Sequence, residues 1–492
     1  MTDLLLVSVL AVPALGALVV ALLPAARDRA ARIVATVFAA VTFVLTALLA
    51  VPRPARAGMP WSDVDVAWVP ALAVRFHLGV DGISYPLVVL TGLLTLLCCA
   101  YTVWRVPGGG RGRILAALLL VLEVGILGTF LALDLVLFFL FFEVVLLPMY
   151  AVIAGWGGPE RRRAARKFVL YTLFGSVLLL LGVFTVVVAA GTGDLVTLAG
   201  GAGLSRTVQY TAFALFAVAF AVKAPLWPLH TWLPDAHTEA PTVGSVILAG
   251  VLLKMGTYGL IRVGVGVAPL GAARAAPALG ILAVAAILVG SLVCLRQTEL
   301  KRLIAYSSVG HMGFVLLGIA TLTVTGLQAA LIGNVAHGII TGLLFFLAGA
   351  VKDRAHTGSL ADLGGLRETA PRLAGLLGFA AIASLGLPGL AGFWGEAFAV
   401  VAAVERGGPL WLTCAVLAAA GGALTAAYFL RLLRRVTHGP ATPAVTGLPG
   451  ISRPEWLAWS PLVLLALAVG LVPALVLAAA ADPVAALTGA VP

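Results

Sequence analysis

The sequence contains very little charge. Only 10% of its 492 residues are Asp, Glu, Lys or Arg, whereas 62% are hydrophobic. Soluble globular domains carry about 25% charged residues, so this composition excludes an ordinary soluble domain. It predicts an all-α polytopic membrane protein whose helices lie in the lipid bilayer.

Cofactor motifs are also missing. The four cysteines, Cys98, Cys99, Cys294 and Cys414, lie in apolar segments without the CxxC or Cys/His spacing of zinc and iron–sulfur sites. The sequence has no GxGxxG followed by an acidic residue, no Walker lysine and no haem-attachment motif. We therefore expect no cofactor, no metal and no redox centre in this chain.

Apolar runs long enough to cross a bilayer, about 20 residues each, recur along the whole chain. The first run lacks a basic leading segment and a clear cleavage site, so we interpret it as a retained helix and not as a signal peptide. The predicted spans, fourteen in all, are residues 4–23, 32–51, 83–104, 114–132, 135–154, 168–190, 209–229, 242–261, 277–295, 303–322, 327–349, 373–402, 410–430 and 457–480.

The basic residues indicate the orientation of these spans. Loops after odd-numbered spans hold 22 of the 31 lysines and arginines. Loops after even-numbered spans hold seven: Arg53, Arg56, Arg75, Arg206, Arg262, Arg274 and Arg406. The positive-inside rule therefore predicts that the odd loops are cytoplasmic and that both termini lie on the outer side. An excess confined to short loops also argues against a nucleic-acid-binding surface.

Four ionisable residues stand inside the apolar runs: Glu143, Lys223, Lys254 and Glu396. A charge at the bilayer centre costs about 3 kcal/mol or more. Any one of them could be part of a structural ion pair, or could extend its side chain so that the charged end reaches the membrane surface. Four together indicate an ion pathway, and proton transfer is the hypothesis that fits lysines and glutamates.

Two apolar segments are interrupted by proline and glycine. One is 220–234, with Pro225, Pro228 and Pro234, and the other is 383–398, with Gly386 and Pro388 among its breakers. The alternative is simple kinking for packing. Because Lys223 and Glu396 each stand beside a break, we favour discontinuous helices, which are typical of inverted-repeat transporters.

These residues could transfer protons as a lysine–glutamate pair followed by a series of titratable side chains. A carboxylate stabilises the charged form of a buried lysine, so moving or neutralising Glu143 would make Lys223 release a proton. Lys254, His311 and His337 supply titratable stations between Lys223 and Glu396. A single intramembrane histidine is as often structural as it is a relay.

Four polar residues lie near a predicted helix end, where we expect solvation to make their charge inexpensive: His230, Asp235, His237 and Glu239. Among them His230 remains a lesser candidate for the pathway. Glu123, inside an apolar run, is a second lesser candidate with no evident partner.

Four segments carry a family resemblance: 141–150 (FFEVVLLPMY), 219–259, 300–314 (LKRLIAYSSVGHMGF) and 384–398 (SLGLPGLAGFWGEAF). They resemble the antiporter-like membrane subunits of proton-pumping NADH:quinone oxidoreductase, respiratory complex I, and among these the M type. The resemblance implies proton translocation by Glu143, Lys223, Lys254 and Glu396, with His311 and His337 in a connecting polar axis.

The resemblance also implies the organisation of the chain and its partners. We expect inverted five-helix repeats, helices 4–8 and 9–13, with breaks in helices 7 and 12. The corresponding regions are 1–110, 111–265 (first repeat), 266–440 (second repeat) and 441–492. Flavin, iron–sulfur clusters and quinone are expected in partner subunits of the membrane and peripheral arms, in the inner (plasma) membrane.

Two other functions stay open. Multisubunit sodium/proton antiporters have a similar chain. The antiporter chains and the L-type subunits of complex I resemble each other in carrying lysine at the position of Glu396. The L type also has a long lateral helix at its C-terminus, which we do not expect in this chain. A non-pumping membrane scaffold of a hydrogenase or complex I-like assembly is the third reading.

Overall fold

The computed structural model describes residues 2–50, 60–108 and 110–491 of the chain. Residue 51, the last of the predicted second span, and Arg53 and Arg56 in the loop after it lie outside the described residues. Within this part the fold is helical apart from one small β-hairpin.

The helices are labelled so that the two halves of a broken helix share a number. They are α1 Thr2–Leu22, α2 Asp28–Leu48, α3 Tyr85–Trp104, α4 Gly112–Leu131, α5 Leu135–Trp156, α6 Arg161–Ala190, α7a Arg206–Lys223, α7b Trp232–Glu239, α8 Thr242–Val265, α9 Pro269–Arg296, α10 Leu300–Thr321, α11 Val324–Ala355, α12a Pro371–Ser384, α12b Ala391–Arg406, α13 Gly408–Thr437, α14 Arg453–Leu471 and α15 Ala481–Gly489.

Smaller elements connect these helices. Single helical turns lie at Ala25–Arg27, Pro70–Leu72, Ala199–Gly201, Leu366–Thr369 and Ala474–Leu477. The strands β1 Ser62–Val69 and β2 Val74–Val80 pair antiparallel, with Ser62 opposite Val80. Two helices are irregular inside: α5 has a break at Val145, and α8 contains two π-helical stretches, Leu248–Leu252 and Leu260–Val265.

Most predicted spans agree with the helices. Among the described residues, twelve helices are long and apolar enough to cross a membrane. The other two predicted spans, 209–229 and 373–402, are broken in the structure at 224–231 and 385–390, so the prediction of two discontinuous helices is confirmed. The predicted last span, 457–480, is too long, because α14 ends at Leu471, just before Pro473, which disfavours helix in the preceding residue.

The core of the bundle is formed by α8, α10 and α11, whose apolar stretches are almost wholly buried. In the outer helices α1, α2, α6 and α13 most of the apolar stretch is exposed or only half-buried. In a bilayer such a surface faces lipid or a neighbouring membrane subunit. Lys254 of α8 and His337 of α11 therefore lie in the core, away from lipid.

The two halves of the bundle repeat one backbone motif. In the first half, Leu135 N donates to Gly193 O and Leu195 N donates to Leu133 O, both at 2.8 Å. In the second half, Leu300 N donates to Gly358 O and Leu360 N to Thr298 O, again at 2.8 Å. Each motif ties the start of one helix to the loop after the next helix, and an acidic residue caps that helix start, Asp134 in α5 and Glu299 in α10.

The two motifs lie at opposite ends of the bundle. The first is joined to the hairpin, since Leu133 N donates to His77 O at 2.8 Å. The second lies at the end where Asp235 of α7b pairs with Arg302 of α10 at 3.3 Å and with Lys167 of α6 at 2.7 Å. Gly158 N also donates to Glu239 O there, so the loop after α7b lies beside the basic loop after α5, as the alternation of predicted loops requires.

An ion pair anchors the hairpin to the loop after α6. His77 Nδ1 of β2 lies 2.5 Å from Asp194 Oδ2, and Thr197 donates two hydrogen bonds to the other carboxylate oxygen. Burial of the His77 ring opposes its protonation, but the hydrogen bond and charge of Asp194 outweigh this, so the pKa of His77 is raised. Burial likewise opposes ionisation of Asp194, yet His77 and Thr197 lower its pKa to about 2.

This pair predicts a hairpin that loosens in alkali. A histidine with a raised folded-state pKa stabilises the fold at pH values below its unfolded pKa, and the contribution is lost as the pH rises through the folded pKa. Hydrogen exchange of residues 62–80, corrected for intrinsic rates, should therefore show less protection at about pH 8.5 than at about pH 5.5. At the lower pH the hairpin of the variant His77→Gln should be less protected than that of the wild type. Its protection should change little as the pH rises. A pH profile like that of the wild type in this variant would contradict the assignment.

Candidate functional site

A close crossing of α8 and α11 positions the centre of the site. A Cβ atom on Gly338 would lie 2.5 Å from Gly250 O, so only glycine at this position allows the two backbones to approach so closely. Small residues allow such contacts between membrane helices. Lys254 follows one turn after Gly250, beside the first π-helical stretch of α8. Such irregular turns occur frequently at functional sites.

Lys254 and His337 form the central contact. The lysine is 0% exposed, and its Nζ lies 2.6 Å from His337 Nδ1 and 2.5 Å from Ala249 O. A lysine amine and an imidazole nitrogen at this distance share one proton, because one of the two must donate and the other must accept. This contact therefore joins two groups that can exchange a proton directly.

His311 and Glu396 form the second contact. His311 Nδ1 of α10 lies 2.8 Å from Glu396 Oε1 of α12b, and its Nε2 lies 3.0 Å from the Ser384 hydroxyl at the end of α12a. Both sides of the α12 break thus contact the same imidazole. The His311 and His337 rings lie with their centroids 5.7 Å apart, which brings the two contacts together.

A small cavity lies between these groups. Its volume is about 30 Å³, and its lining includes His311, His337, Thr341, Ser384 and Glu396. A cavity of this size with several polar partners has room for about two water molecules. The second ring nitrogen of His337, Nε2, has no hydrogen-bond partner among the described residues. Lys254, His337, His311 and Glu396 together, called here the polar axis, thus run from α8 to α12b.

Lys223 and Glu143 lie apart from this axis. Lys223 ends α7a, is 3% exposed, and places Nζ 4.5 Å from the centroid of the Phe142 ring. The Glu143 carboxylate accepts a hydrogen bond from Ser176 of α6. In the described part of the chain no ion pair within 4.0 Å joins Lys223 to Glu143. The predicted ion pair of Lys223 with Glu143 is therefore not formed in this arrangement.

The lesser candidates are both buried. Glu123 of α4 is 0% exposed, and neither carboxylate oxygen has a partner in residues 2–50, 60–108 and 110–491. His230, in the break between α7a and α7b, is 8% exposed and lies with its ring centroid 6.1 Å from that of Tyr306. Neither residue contacts the polar axis through a hydrogen bond found in this part.

The expectation that solvation makes His230 and His237 inexpensive is wrong. His237 of α7b is 0% exposed, its ring stacks on Phe345 at 4.3 Å, and neither ring nitrogen has a partner within the described ranges. The reason is that α7b does not end in solvent: it packs against α6 and α10, and the chain turns directly into the buried helix α8. Asp235 and Glu239 are partly exposed, and Asp235 is paired with Lys167 and Arg302.

Sequence reasoning also missed several neutral polar partners. Thr257 of α8 donates to Asn334 Oδ1 of α11 at 2.8 Å, and both are buried. Ser176 and Ser384 orient Glu143 and His311. The signal available was a single polar residue in an otherwise apolar helix, which is too common to single these out. No group of three or more His, Cys, Asp or Glu side chains in the described ranges could hold a metal ion.

Comparisons with known proteins show the family of the chain. Residues 132–421, from the start of α5 into α13, match the family model described as NADH:quinone oxidoreductase/Mrp antiporter, TM. The NADH-quinone oxidoreductase subunit M of Rhodobacter capsulatus is 42% identical over 465 residues, which are 92% of this chain and 89% of that protein. The chain belongs to the NADH:quinone oxidoreductase/Mrp antiporter membrane family.

Two solved structures agree with the membership. A chain of respiratory complex I from Thermus thermophilus with bound NADH superimposes with a TM-score of 0.87 at 30% identity, covering 99% of both chains. A chain of the Mrp complex from Dietzia sp. DQ12-45-1b superimposes with a TM-score of 0.80 at 24% identity, covering 98% of this chain and 97% of that one. The second likeness concerns the fold alone. The chain is thus a multi-pass membrane protein with the antiporter-like fold, and the predicted family resemblance is confirmed.

The contact between α11 and α12b gives a test of the geometry of this family member. A Cβ on Gly395 would lie 2.6 Å from Gly333 Cα, so Gly395→Ala must push α12b, with Glu396, away from α11. We expect a loss of about 1–3 kcal/mol of stability, seen as less assembled protein and a lower thermal midpoint in detergent. The matched control is Gly378→Ala in α12a, where no heavy atom lies within 4 Å of the added Cβ. Equal behaviour of the two variants would show that this glycine contact does not hold Glu396 in place.

Proposed function

We propose that this chain is a proton-translocating membrane-arm subunit of an NADH:quinone oxidoreductase, in which quinone reduction in partner subunits drives proton transfer through the polar axis. The observation that carries the proposal is the line of contacts Lys254–His337 and His311–Glu396 in the centre of an apolar bundle. The 42% identity to a subunit M along most of both chains supports the choice of complex.

The polar axis has the parts that a proton relay needs. A proton given by the Lys254 ammonium to His337 Nδ1 leaves that ring from Nε2, because an imidazole can accept at one nitrogen and release at the other. Nε2 has no protein partner in the described part, and His337 lines the cavity that His311 and Glu396 also line. His311 then passes the proton to the Glu396 carboxylate, 2.8 Å away.

Glu143 and Lys223 form the gate of this relay. Removing the ammonium of Lys223 from water is costly, and the face of the Phe142 ring, 4.5 Å away, compensates for part of that cost. A shift of the Glu143 carboxylate toward it would hold the proton, and a shift toward Ser176 would release it. The observed open pair, with Glu143 bonded to Ser176, corresponds to the releasing arrangement.

The proposal extends to the architecture and its setting. Fourteen spans, twelve continuous and two broken, divide into 1–110, a first repeat at 111–265, a second repeat at 266–440 and a C-terminal region at 441–492. The equivalent backbone motifs at Asp134 and Glu299, at opposite ends of the bundle, support the inverted relation of the repeats. The basic end faces the cytoplasm, both termini face outward, and the membrane is the bacterial inner membrane. Flavin, iron–sulfur clusters and quinone belong to partner subunits.

An antiporter subunit that exchanges sodium for protons is the second candidate, because the fold also matches a chain of an Mrp complex. The glutamate at 396, bonded to a histidine, favours a proton relay over it. Dependence of transport on sodium separates the two.

Substitution of the gate tests the proposal in the assembled complex. Lys223→Met and Glu143→Gln remove one titratable group each, so we expect an assembled complex whose NADH-driven proton pumping falls by about tenfold or more. The measurement is vesicle acidification together with the yield of complex on native gels. Glu368→Gln, at the surface beside Ala441 N, is the matched acid control and should pump normally.

Two other results would speak against the gate. If Lys223→Met lowers the amount of complex in the membrane but the remaining complex pumps normally, the chain would be a non-pumping scaffold. Acidification that requires sodium would favour the antiporter.

A further inference from the structure

A second cavity lies at the end of the bundle that carries the β-hairpin, opposite the basic end. Its volume is about 360 Å³, and its walls come from the loop after α6, the end of α8 and the C-terminal helix α15. Its lining includes Asp81, before the start of α3, and Arg262 of α8. A space of this size beside charged groups admits many water molecules. This space, called here the hairpin-side cavity, therefore brings water to Arg262.

Three residues of α8 lead from this cavity to the polar axis. Lys254, Tyr258 and Arg262 are spaced by four residues, which places them on one side of the helix. Tyr258 is 1% exposed, and its hydroxyl donates to Phe130 O at 2.9 Å. The Arg262 guanidinium lies 5.7 Å from the centroid of the Tyr258 ring, and its Nε donates to the hydroxyl at 3.3 Å. This side of α8 thus runs from the buried amine of Lys254 to the wall of the hairpin-side cavity.

An ion pair holds the guanidinium at the cavity wall. Arg262 Nη2 pairs with Asp81 Oδ2, and Asp81 Oδ1 accepts two hydrogen bonds, at 3.0 Å each, from the backbone before the start of α3. The turn that carries Asp81 is itself fixed, because a Cβ on Gly82 would collide with Ala479 O. Arg262 also lies within the second π-helical stretch of α8, and such irregular turns occur frequently at functional sites.

We propose that Arg262 is an electrostatic barrier that keeps protons of the hairpin-side cavity away from Lys254. A guanidinium does not give up its proton in a protein, so Arg262 cannot act as a relay. Its fixed positive charge repels an approaching proton, in the way that an arginine in the wall of a narrow pore excludes protons and other cations. A proton on Lys254 is then left with the route through His337 towards Glu396.

The place of the barrier suits the direction of pumping. The inference rests on the proposed function, in which Lys254 carries the proton and the hairpin end of the bundle faces outward. A pump builds a gradient that drives protons back from the outer side. Without a barrier, water in the hairpin-side cavity would deliver those protons to Lys254. A permanent positive charge between the cavity and the lysine opposes this return.

The alternative is that Arg262 only ties α8 to the start of α3 through Asp81. Three variants in the complete complex separate the two roles. Arg262→Gln removes the positive charge. Arg262→Lys keeps the charge, since the neighbouring carboxylate stabilises the ammonium, but loses the fork of N–H donors. Asp81→Asn breaks the ion pair and leaves the positive charge in place. A barrier depends on the charge, whereas a tie depends on the pair.

The measurement is passive proton entry into liposomes that contain the purified complex, driven by a potassium diffusion potential in the absence of NADH. We expect Arg262→Gln to admit protons about tenfold faster than the wild type, or more. Arg262→Lys and Asp81→Asn should stay within about twofold of the wild type, because both retain the charge. The matched control is Arg75→Gln, which removes an exposed ion pair with Asp65 at the same end and should not leak.

Two results would overturn the barrier. One is Arg262→Gln that is as tight as the wild type, and the other is an equal leak in Arg262→Gln and Asp81→Asn. If Arg262→Gln does not assemble, the double variant Arg262→Gln with Asp81→Asn decides, because it leaves no unpaired charge buried. A leak in that double variant supports the barrier, and a tight double variant refutes it.

The route of the leak is tested by adding Lys254→Met to Arg262→Gln. Without the central amine the leak should return to within about twofold of the wild type, because a titratable group that would carry the proton is gone. A leak that persists would overturn the inference. Lys254→Met alone is the reference for the proposed function. Reduced NADH-driven pumping by Lys254→Met beside a tight Arg262→Gln refutes the barrier alone, whereas normal pumping by Lys254→Met refutes the function on which it rests.

Discussion

The cost of keeping a charge away from water governs this molecule. Lys254 is fully buried, yet its amine has only a histidine nitrogen and one backbone carbonyl as partners in the described structure. Replacing a buried charged group by an apolar residue is often neutral or stabilising, so stability alone does not explain the lysine. The arrangement makes sense when the group exists in two protonation states, neither of which the surroundings satisfy completely.

The architecture follows from the same constraint. Backbone freed by a helix break cannot face lipid, and both breaks lie against residues of the proposed pathway. The helix α7a ends at Lys223, and both sides of the α12 break contact His311 through Ser384 and Glu396. Glycine contacts at Gly250 and Gly338 let α8 and α11 approach closely enough for a lysine and a histidine to meet. Helix packing thus sets the distances between the residues of the proposed pathway.

Much of this could be predicted from the sequence, because charge is rare in it and therefore conspicuous. The broken helices and the four intramembrane ionisable residues were found by the cost of unpaired charge and free backbone groups. The burial of His237 could not be found that way. His237 stands among polar residues at a helix end, and only the packing of α7b against α6 and α10 encloses it. The open distance between Lys223 and Glu143 also depends on side-chain rotamers that no sequence pattern reveals.

The central claim is that protons pass along the polar axis, and His337 is the residue that joins its two contacts. The most direct test is the number of protons moved per NADH oxidised by the complex in sealed vesicles, compared between wild type and His337→Gln. Gln can still accept a hydrogen bond from Lys254 but cannot take up a proton. We predict an assembled complex with a lower proton-to-NADH ratio or strongly slowed coupled turnover. An unchanged ratio at unchanged turnover would contradict the account.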